Sequence, residues 1–371
     1  MRLRLVGLAG ATVLMGLSEA TSAGADAADR PSGAPTQGRC AGAASRDAAR
    51  PCRNPALRTA VRPTPTQAVL EPPPPCEGDT KKVGTLYPCI FGPSADARPT
   101  DEVALLGDSH AGHWRAAVRY VAQQRGWRGT SLTRSGCAFS TATRALPEPA
   151  RSRCRTWNAE VLAWFERHPE VHTIFVSASA TLAVEVPQGR SAFEHRVEGY
   201  LRAWRSLPAS VTRIIVLRDT PKRSLRTLDC IEAGIAARRP VDTACAVPRA
   251  NVLPPDPQAV ATSRARGSRI RLADLSAFFC SSRLCSPVVG GVLVNKDQDH
   301  MTTAFSLSLG PFVLRRVERL GPFALRRSLT SDQGKEMAEH AKFTLDSGLQ
   351  PSSTVTTVRA LPFLPRPPPD T

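Results

Sequence analysis

Val103-Ala-Leu-Leu-Gly-Asp-Ser-His-Ala-Gly-His-Trp114 is the stretch from which the rest of the chain is read. The apolar run Val103 to Leu106 has the length and composition of a short buried strand. It breaks at Gly107, and a helical pattern follows over Arg115 to Gln124, so Asp108, Ser109 and His110 fall on the turn that leaves the strand. In an open α/β sheet, ligands bind just beyond the carboxyl ends of the strands. A serine there is exposed, is backed by helix N–H groups, and becomes a nucleophile once a base reaches it. The base candidate comes almost two hundred residues later, in Asn295-Lys-Asp-Gln-Asp-His-Met-Thr302.

Strand and helix signals alternate between these two segments. Thr130–Thr133, Val171–Val176, Thr212–Leu217 and Arg269–Leu272, the last leading to Asp274, read as strands, and Gly291–Val294 as a further short one. Cys154–Arg167, with Trp157, Val161, Trp164 and Phe165 at helical spacing, reads as a helix, as do Arg196–Leu207 and Thr303–Arg319. Repeated alternation predicts an α/β fold: a three-layer sandwich with a mainly parallel sheet flanked by helices. The segment holding Cys230 and Cys245 reads as a long loop.

The 371 residues suffice for a sizeable core. Arg2 and Arg4, an apolar stretch from Leu5 to Leu17 and small residues up to Ala27 have the order of a secretory signal peptide over 1–27. That stretch falls short of the about 20 residues that a membrane span needs, so no span is expected in the mature chain. Residues 28–97 are rich in Pro, Ala, Gly and Arg, with Glu71-Pro-Pro-Pro-Pro-Cys76, and read as a partly disordered linker, with Cys76 and Cys89 available to pin its end. The folded domain is expected over 98–325 and a tail over 326–371.

Ten cysteines, an even number with no Cys-x-x-Cys pair, argue for disulfides in an exported protein rather than a zinc ribbon or a redox motif. Sequence leaves the connectivity open. Pairing of neighbours is the expectation: Cys137–Cys154, Cys230–Cys245 and Cys280–Cys285, with Cys40, Cys52, Cys76 and Cys89 paired among themselves. The net charge of +17 comes mostly from arginines scattered among alanine and proline. No dense basic run is interleaved with aromatics, so a nucleic-acid partner is not expected.

Gly107-Asp-Ser-His-Ala-Gly-His-Trp114 and Asp297-Gln-Asp-His300 resemble the first and last blocks of the SGNH hydrolase superfamily. The closer resemblance is to the extracytoplasmic SGNH domain associated with membrane acyltransferases that O-acylate glycans. Ser135-Gly-Cys137, the paired cysteines and Asp299-His-Met-Thr302 stand where that domain has its remaining blocks. The resemblance implies an exported serine esterase or acyltransferase acting on O-acyl groups of a cell-envelope or extracellular glycan. Its partners would be an acylated glycan or acyl donor and, in one version, a separate membrane acyltransferase; no cofactor is implied. The alternative is a catalytically weak fold that binds glycan or an acyltransferase.

In chemical terms, Ser109 is the candidate nucleophile, His300 the base, and Asp297 the carboxylate that fixes the imidazole, with Asp299 a second candidate. Either aspartate has the competing reading of a helix N-cap before Thr302–Thr303. Ser109 N–H is a candidate oxyanion donor, and the resemblance adds Gly136 N–H. The asparagine that many superfamily members carry after the third strand is absent; Val176-Ser-Ala-Ser179 stands there. His110 and Trp114 are expected to line the substrate pocket, with packing beneath the turn as the alternative. Asp108-Ser-His110 also resembles the first block of metallophosphoesterases. The Gly-Asp-x-x-Asp, Gly-Asn-His and Gly-His-x-His blocks of that family are missing, so no metal site is expected.

Overall fold

Both faces of the 103–106 run are buried: Val103, Ala104, Leu105 and Leu106 are each 0% exposed. That is the state of a central parallel strand covered by helices on each side. The structure, a computed structural model, describes residues 40–77, 81–93, 98–265 and 269–320. Its main sheet has strands β1 (Cys89–Phe91), β2 (Asp101–Gly107), β3 (Trp127–Thr133), β4 (Val171–Ser177), β5 (Arg213–Leu217) and β6 (Ile270–Ala273). Their order is β1-β3-β2-β4-β5-β6. β1 is antiparallel to β3, and every other pairing is parallel.

Among the described residues five long helices flank the sheet, α1 (Ser109–Arg125), α2 (Ala150–Arg167), α3 (Ala192–Arg205), α5 (Pro257–Arg264) and α6 (Thr303–Arg319), while α4 (Leu225–Ala236) packs in a separate small cluster with Val61, Ala68 and Val241. Side chains alternate across a strand, and β2 shows the consequence. Val103 and Leu105 join Trp114 and Val118 of α1 and Phe305 and Leu309 of α6 in one core. Ala104 and Leu106 join Trp157 and Phe165 of α2 and Trp204 of α3 in the other. The molecule is therefore the three-layer α/β sandwich that the alternation predicted. Without β1, the strand order is that of doubly wound folds, in which the order of winding, not the strand direction, reverses between β2 and β4. Ser109 follows β2 at that switch point.

Several expectations change. The first helix begins at Ser109 rather than Arg115, because the Asp108 carboxylate accepts the His110 N–H at 2.8 Å and caps it there. β3 starts three residues early, at Trp127. The stretch around Cys230 is the helix α4, not a loop.

The largest correction concerns the linker read over 28–97 and the domain start at 98. β1 comes from that segment, and the buried Phe91 ring occupies the space left by Gly129, which has no side chain. Upstream, Ala43 N–H donates to Ser308 Oγ of α6 at 3.1 Å, and Arg62 N–H donates to Gly291 O at 2.9 Å. Val61 and Ala68 are buried. Disulfides Cys40–Cys52 and Cys76–Cys89 close this segment into short loops, which lowers the entropy of the unfolded chain and offsets its poor core-forming composition. The leader read over 1–27, residues 28–39 and the tail read over 326–371 lie outside the described residues.

Candidate active site

Gly107 ends β2 with φ +146°, and a Cβ there would collide with the carbonyl oxygen of Ser177 at the end of β4. Only glycine lets β2 and β4 approach closely enough for the next residues to meet. Asp108 is fully buried; one carboxylate oxygen caps α1 and the other accepts Ser179 N–H at 3.0 Å. Burial pushes its pKa up, partly offset by His110 and these N–H groups. Ser109 is thus the first residue of a helix, so its own N–H has no intrahelical carbonyl to bond.

His300 reaches Ser109 from the loop before α6. Asn295 and Met301 bridge across this loop, Lys296 N–H donates to His300 O at 2.9 Å, and Thr302 Oγ1 donates to Leu293 O at 2.7 Å. Thr302 also caps α6 through Phe305 N–H. Asp297 and Asp299 are therefore not the cap, and both are left to face the imidazole. His300 Nε2 lies 2.8 Å from Ser109 Oγ, and His300 Nδ1 lies 2.9 and 3.1 Å from the two Asp297 oxygens. Asp297 Oδ1 also accepts the His300 and Asp299 N–H groups at 2.7 and 3.0 Å. Partial burial pushes the Asp297 pKa up, but these hydrogen bonds outweigh it and hold the group below its ordinary value. With Nδ1–H donated to Asp297, Nε2 is the acceptor for the Ser109 hydroxyl, a tautomer assigned from its hydrogen bonds.

Gly136 sits in the turn after β3. Arg134 N–H donates to Gly107 O at 3.1 Å, and Cys137 N–H donates to Arg134 O at 3.0 Å. Gly136 has φ +68°, and among the described residues its N–H has no hydrogen-bond acceptor. The Cys137–Cys154 disulfide ties this turn to α2, and Cys230–Cys245 and Cys280–Cys285 are also formed. All three pairings match the neighbour pattern.

His110 and Trp114 are not pocket walls. They are 2% and 1% exposed, and Trp114 packs edge-on against Phe279 in the core. The first turn of α1 points inward beneath Ser109, because a helix at a switch point has the sheet under that face. His110 Nδ1 lies 2.5 Å from Asp219 Oδ1, and its Nε2 lies 3.7 Å from Asp299 Oδ2. Burial alone would lower the His110 pKa, but the Asp219 charge and hydrogen bond, with Asp299 and Asp108, push it up to about 10. His113 is the opposite case: burial, with His110 and His300 nearby, pushes it well below its ordinary value, and Met301 N–H donates to its Nδ1 at 3.2 Å.

The cation-ligand candidates are His110 with Asp299 and His300, and His110 with His113 and Asp219, each set within 4.8 Å. The nitrogens of His110 and His300 are turned to partners already named, whereas His113 Nε2 is buried with no partner among the described residues. The neutral His113, accepting at Nδ1, carries its proton on Nε2, the atom it would offer a metal. Ser177 is buried, and its Oγ has no partner among the described residues.

The model of the SGNH domain fused to AT3 domains matches residues 75–315. The chain belongs to this SGNH family. The matched range starts in the segment read as a linker, consistent with β1 being part of the SGNH sheet. A solved periplasmic domain of the lipopolysaccharide acetyltransferase of Salmonella ser. Paratyphi A is similar over 60% of this chain and 85% of that one, at 12% identity and a TM-score of 0.47. No curated protein matches this SGNH chain in sequence. Sequence reasoning missed Asp219, Asp256 and Lys222. Asp219 stands two residues beyond β5, at the carboxyl end of a parallel strand, and that position was the available signal.

Proposed function

We propose that this SGNH domain is an exported serine-dependent O-acyl esterase or acyltransferase, acting on an acylated glycan of the cell envelope or extracellular space. The observation that carries the reading is the unbroken hydrogen-bonded series Ser109–His300–Asp297 at the switch point of the sheet. Ser109 Oγ attacks the ester carbonyl as His300 Nε2 takes its proton, and Asp297 stabilises the imidazolium. Ser109 N–H and Gly136 N–H take the oxyanion. Collapse of the intermediate expels the alcohol with the proton from His300 and leaves acyl-Ser109, which water or a sugar hydroxyl then resolves.

Two features support export. The N-terminal residues have the order of a signal peptide, and five disulfides pair all ten cysteines, as suits an oxidising compartment. Among the described residues no helix is long and apolar enough to cross a membrane. The family's association with AT3 domains supports a membrane acyltransferase as partner.

The test is acetate release from a small aryl acetate by the disulfide-intact chain, beside Ser109→Ala and His300→Ala. Turnover is expected in the parent and a loss of about 10³-fold or more in each variant. Sugar acceptors then separate transfer from hydrolysis. Activity that survives Ser109→Ala refutes the serine assignment.

A further inference from the structure

Asp299 lies between two imidazoles, one buried and one at the surface. Its Oδ2 faces His110 Nε2 at 3.7 Å and Lys222 Nζ at 3.4 Å, while its Oδ1 faces His300 Nδ1 at 3.3 Å. His110 is itself fixed from behind. Asp219, on its Nδ1 side, accepts Ala180 N–H at 2.7 Å and Thr220 N–H at 2.8 Å, and Asp219 N–H donates to Asp256 at 2.9 Å. Ala180 and Thr220 follow β4 and β5, and Asp256 caps α5, so the sheet framework sets where the His110 ring points.

An imidazole that donates to one carboxylate at Nδ1, as His110 does to Asp219, and faces a second at its Nε2 edge is stabilised in its charged form. A buried cation fixed in this way restrains a carboxylate far better than a solvated one, because little water screens the pair. We propose that the His110–Asp219 pair is a positioning device that holds Asp299 against the Nδ1 edge of His300, so that two carboxylates face the base instead of one. The buried imidazolium and Lys222 retain Oδ2, and Oδ1 is presented to His300. His110, with a pKa pushed up to about 10, stays charged at neutral pH, and Asp299 is held far below the ordinary carboxylate value by it. Asp297 supplies the direct hydrogen bond; Asp299 adds negative charge and limits rotation of the ring.

The relevance to acyl transfer rests on the proposed serine mechanism, but the arrangement is measurable without turnover. The charged and titratable groups around His300 and His110 are Asp297, Asp299, Lys222, Lys296, His113, Asp108, Asp219 and Asp256. The experiment follows the imidazole resonances of the disulfide-intact chain against pH, assigning His300 from the spectrum of His300→Ala. Asp299→Asn is expected to move the His300 titration to lower pH by about half a unit or more. In an Asp219→Asn background the same substitution should produce less than half that shift, because Asp299 is no longer held at the ring. His110→Gln provides a second background should Asp219→Asn not fold.

A full-sized shift in both backgrounds, or no shift in the parent, overturns the proposal; a merely structural role for the pair predicts the former. The aryl acetate assay adds the catalytic readout: kcat for Asp299→Asn should fall about tenfold with KM nearly unchanged. A parent without turnover whose titration shifts still depend on Asp219 would refute the esterase reading alone.

Discussion

Asp108 accepts the backbone N–H of Ser179 at 3.0 Å, and through this bond the turn that carries Ser109 is fastened to the end of the neighbouring strand. Its second oxygen accepts the His110 N–H and starts α1 at Ser109. The buried carboxylate therefore sets both where the helix begins and how far Ser109 stands from β4.

Asp108→Asn keeps the size but replaces one acceptor oxygen by a donor. One of the two backbone N–H groups then faces an NH₂ group with no water to replace it. A loss of about 1–3 kcal/mol is expected in urea denaturation, with acetate release reduced because Ser109 is less well placed. An unchanged urea midpoint would refute this account of Asp108.

Glu71, from the segment read as a linker, accepts Thr303 N–H at 2.6 Å and Ala304 N–H at 3.2 Å. Together with the Thr302 cap it satisfies the first three N–H groups of α6, immediately after His300. Glu71→Ala should cost about 0.5–2 kcal/mol, in the range of a lost helix cap. Glu71→Gln, which keeps an acceptor, should cost less. Denaturant midpoints of the two variants check this ranking.

Gly107→Ala should prevent recovery of native protein or lower its melting temperature steeply, because the new Cβ meets the Ser177 carbonyl and φ is +146°. Gly112→Ala is the control: nothing lies within 4 Å of its added Cβ. It also replaces glycine by alanine within a helix, so it should be neutral or stabilising by up to about 1 kcal/mol. Circular dichroism melts of the pair separate backbone strain from a general intolerance of this turn.

Stability should decline on the alkaline side through His110. Its folded pKa, about 10, lies above that of the unfolded chain, about 6.5. Its contribution is therefore complete below about pH 6.5 and is lost as pH rises toward about 10. Asp297 and Asp299 act at the other end. Their folded values are depressed, so their contribution is present above about pH 4 and is lost as pH falls. Urea midpoints between pH 6 and 10 should fall in the parent and fall less in His110→Gln. Parallel curves would assign the alkaline loss to other groups.

The sheet's inner strands and α6 were legible because their signals are local. Val103–Leu106, Val171–Val176 and Thr212–Leu217 are mostly apolar runs that need both faces covered, and the helix read over Thr303–Arg319 has those bounds, although its cap is Thr302 and not Asp297 or Asp299. The Ser109, Asp297 and His300 set was legible through residue type and position, and the structure brings the three together. The start of α1 was misread because a capping aspartate and a turn aspartate look alike in sequence; the strand it binds decides which it is. β1 was hidden in proline-rich surroundings, since its partner β3 lies elsewhere in the chain and sequence left open how the four cysteines of the segment pair.

By itself, the sequence determined the alternation of the inner strands with most of their helices, the glycine at position 107 and the residue types available for acyl chemistry, because each depends on near neighbours or on side-chain chemistry. The tertiary structure decided which of those groups meet. It turned His110 and Trp114 inward, set Asp219 behind His110, and left both Asp297 and Asp299 facing His300. Those contacts join segments up to roughly two hundred residues apart in sequence, as with Ser109 and His300. Their energies depend on burial, which removes the water that would otherwise separate the charges.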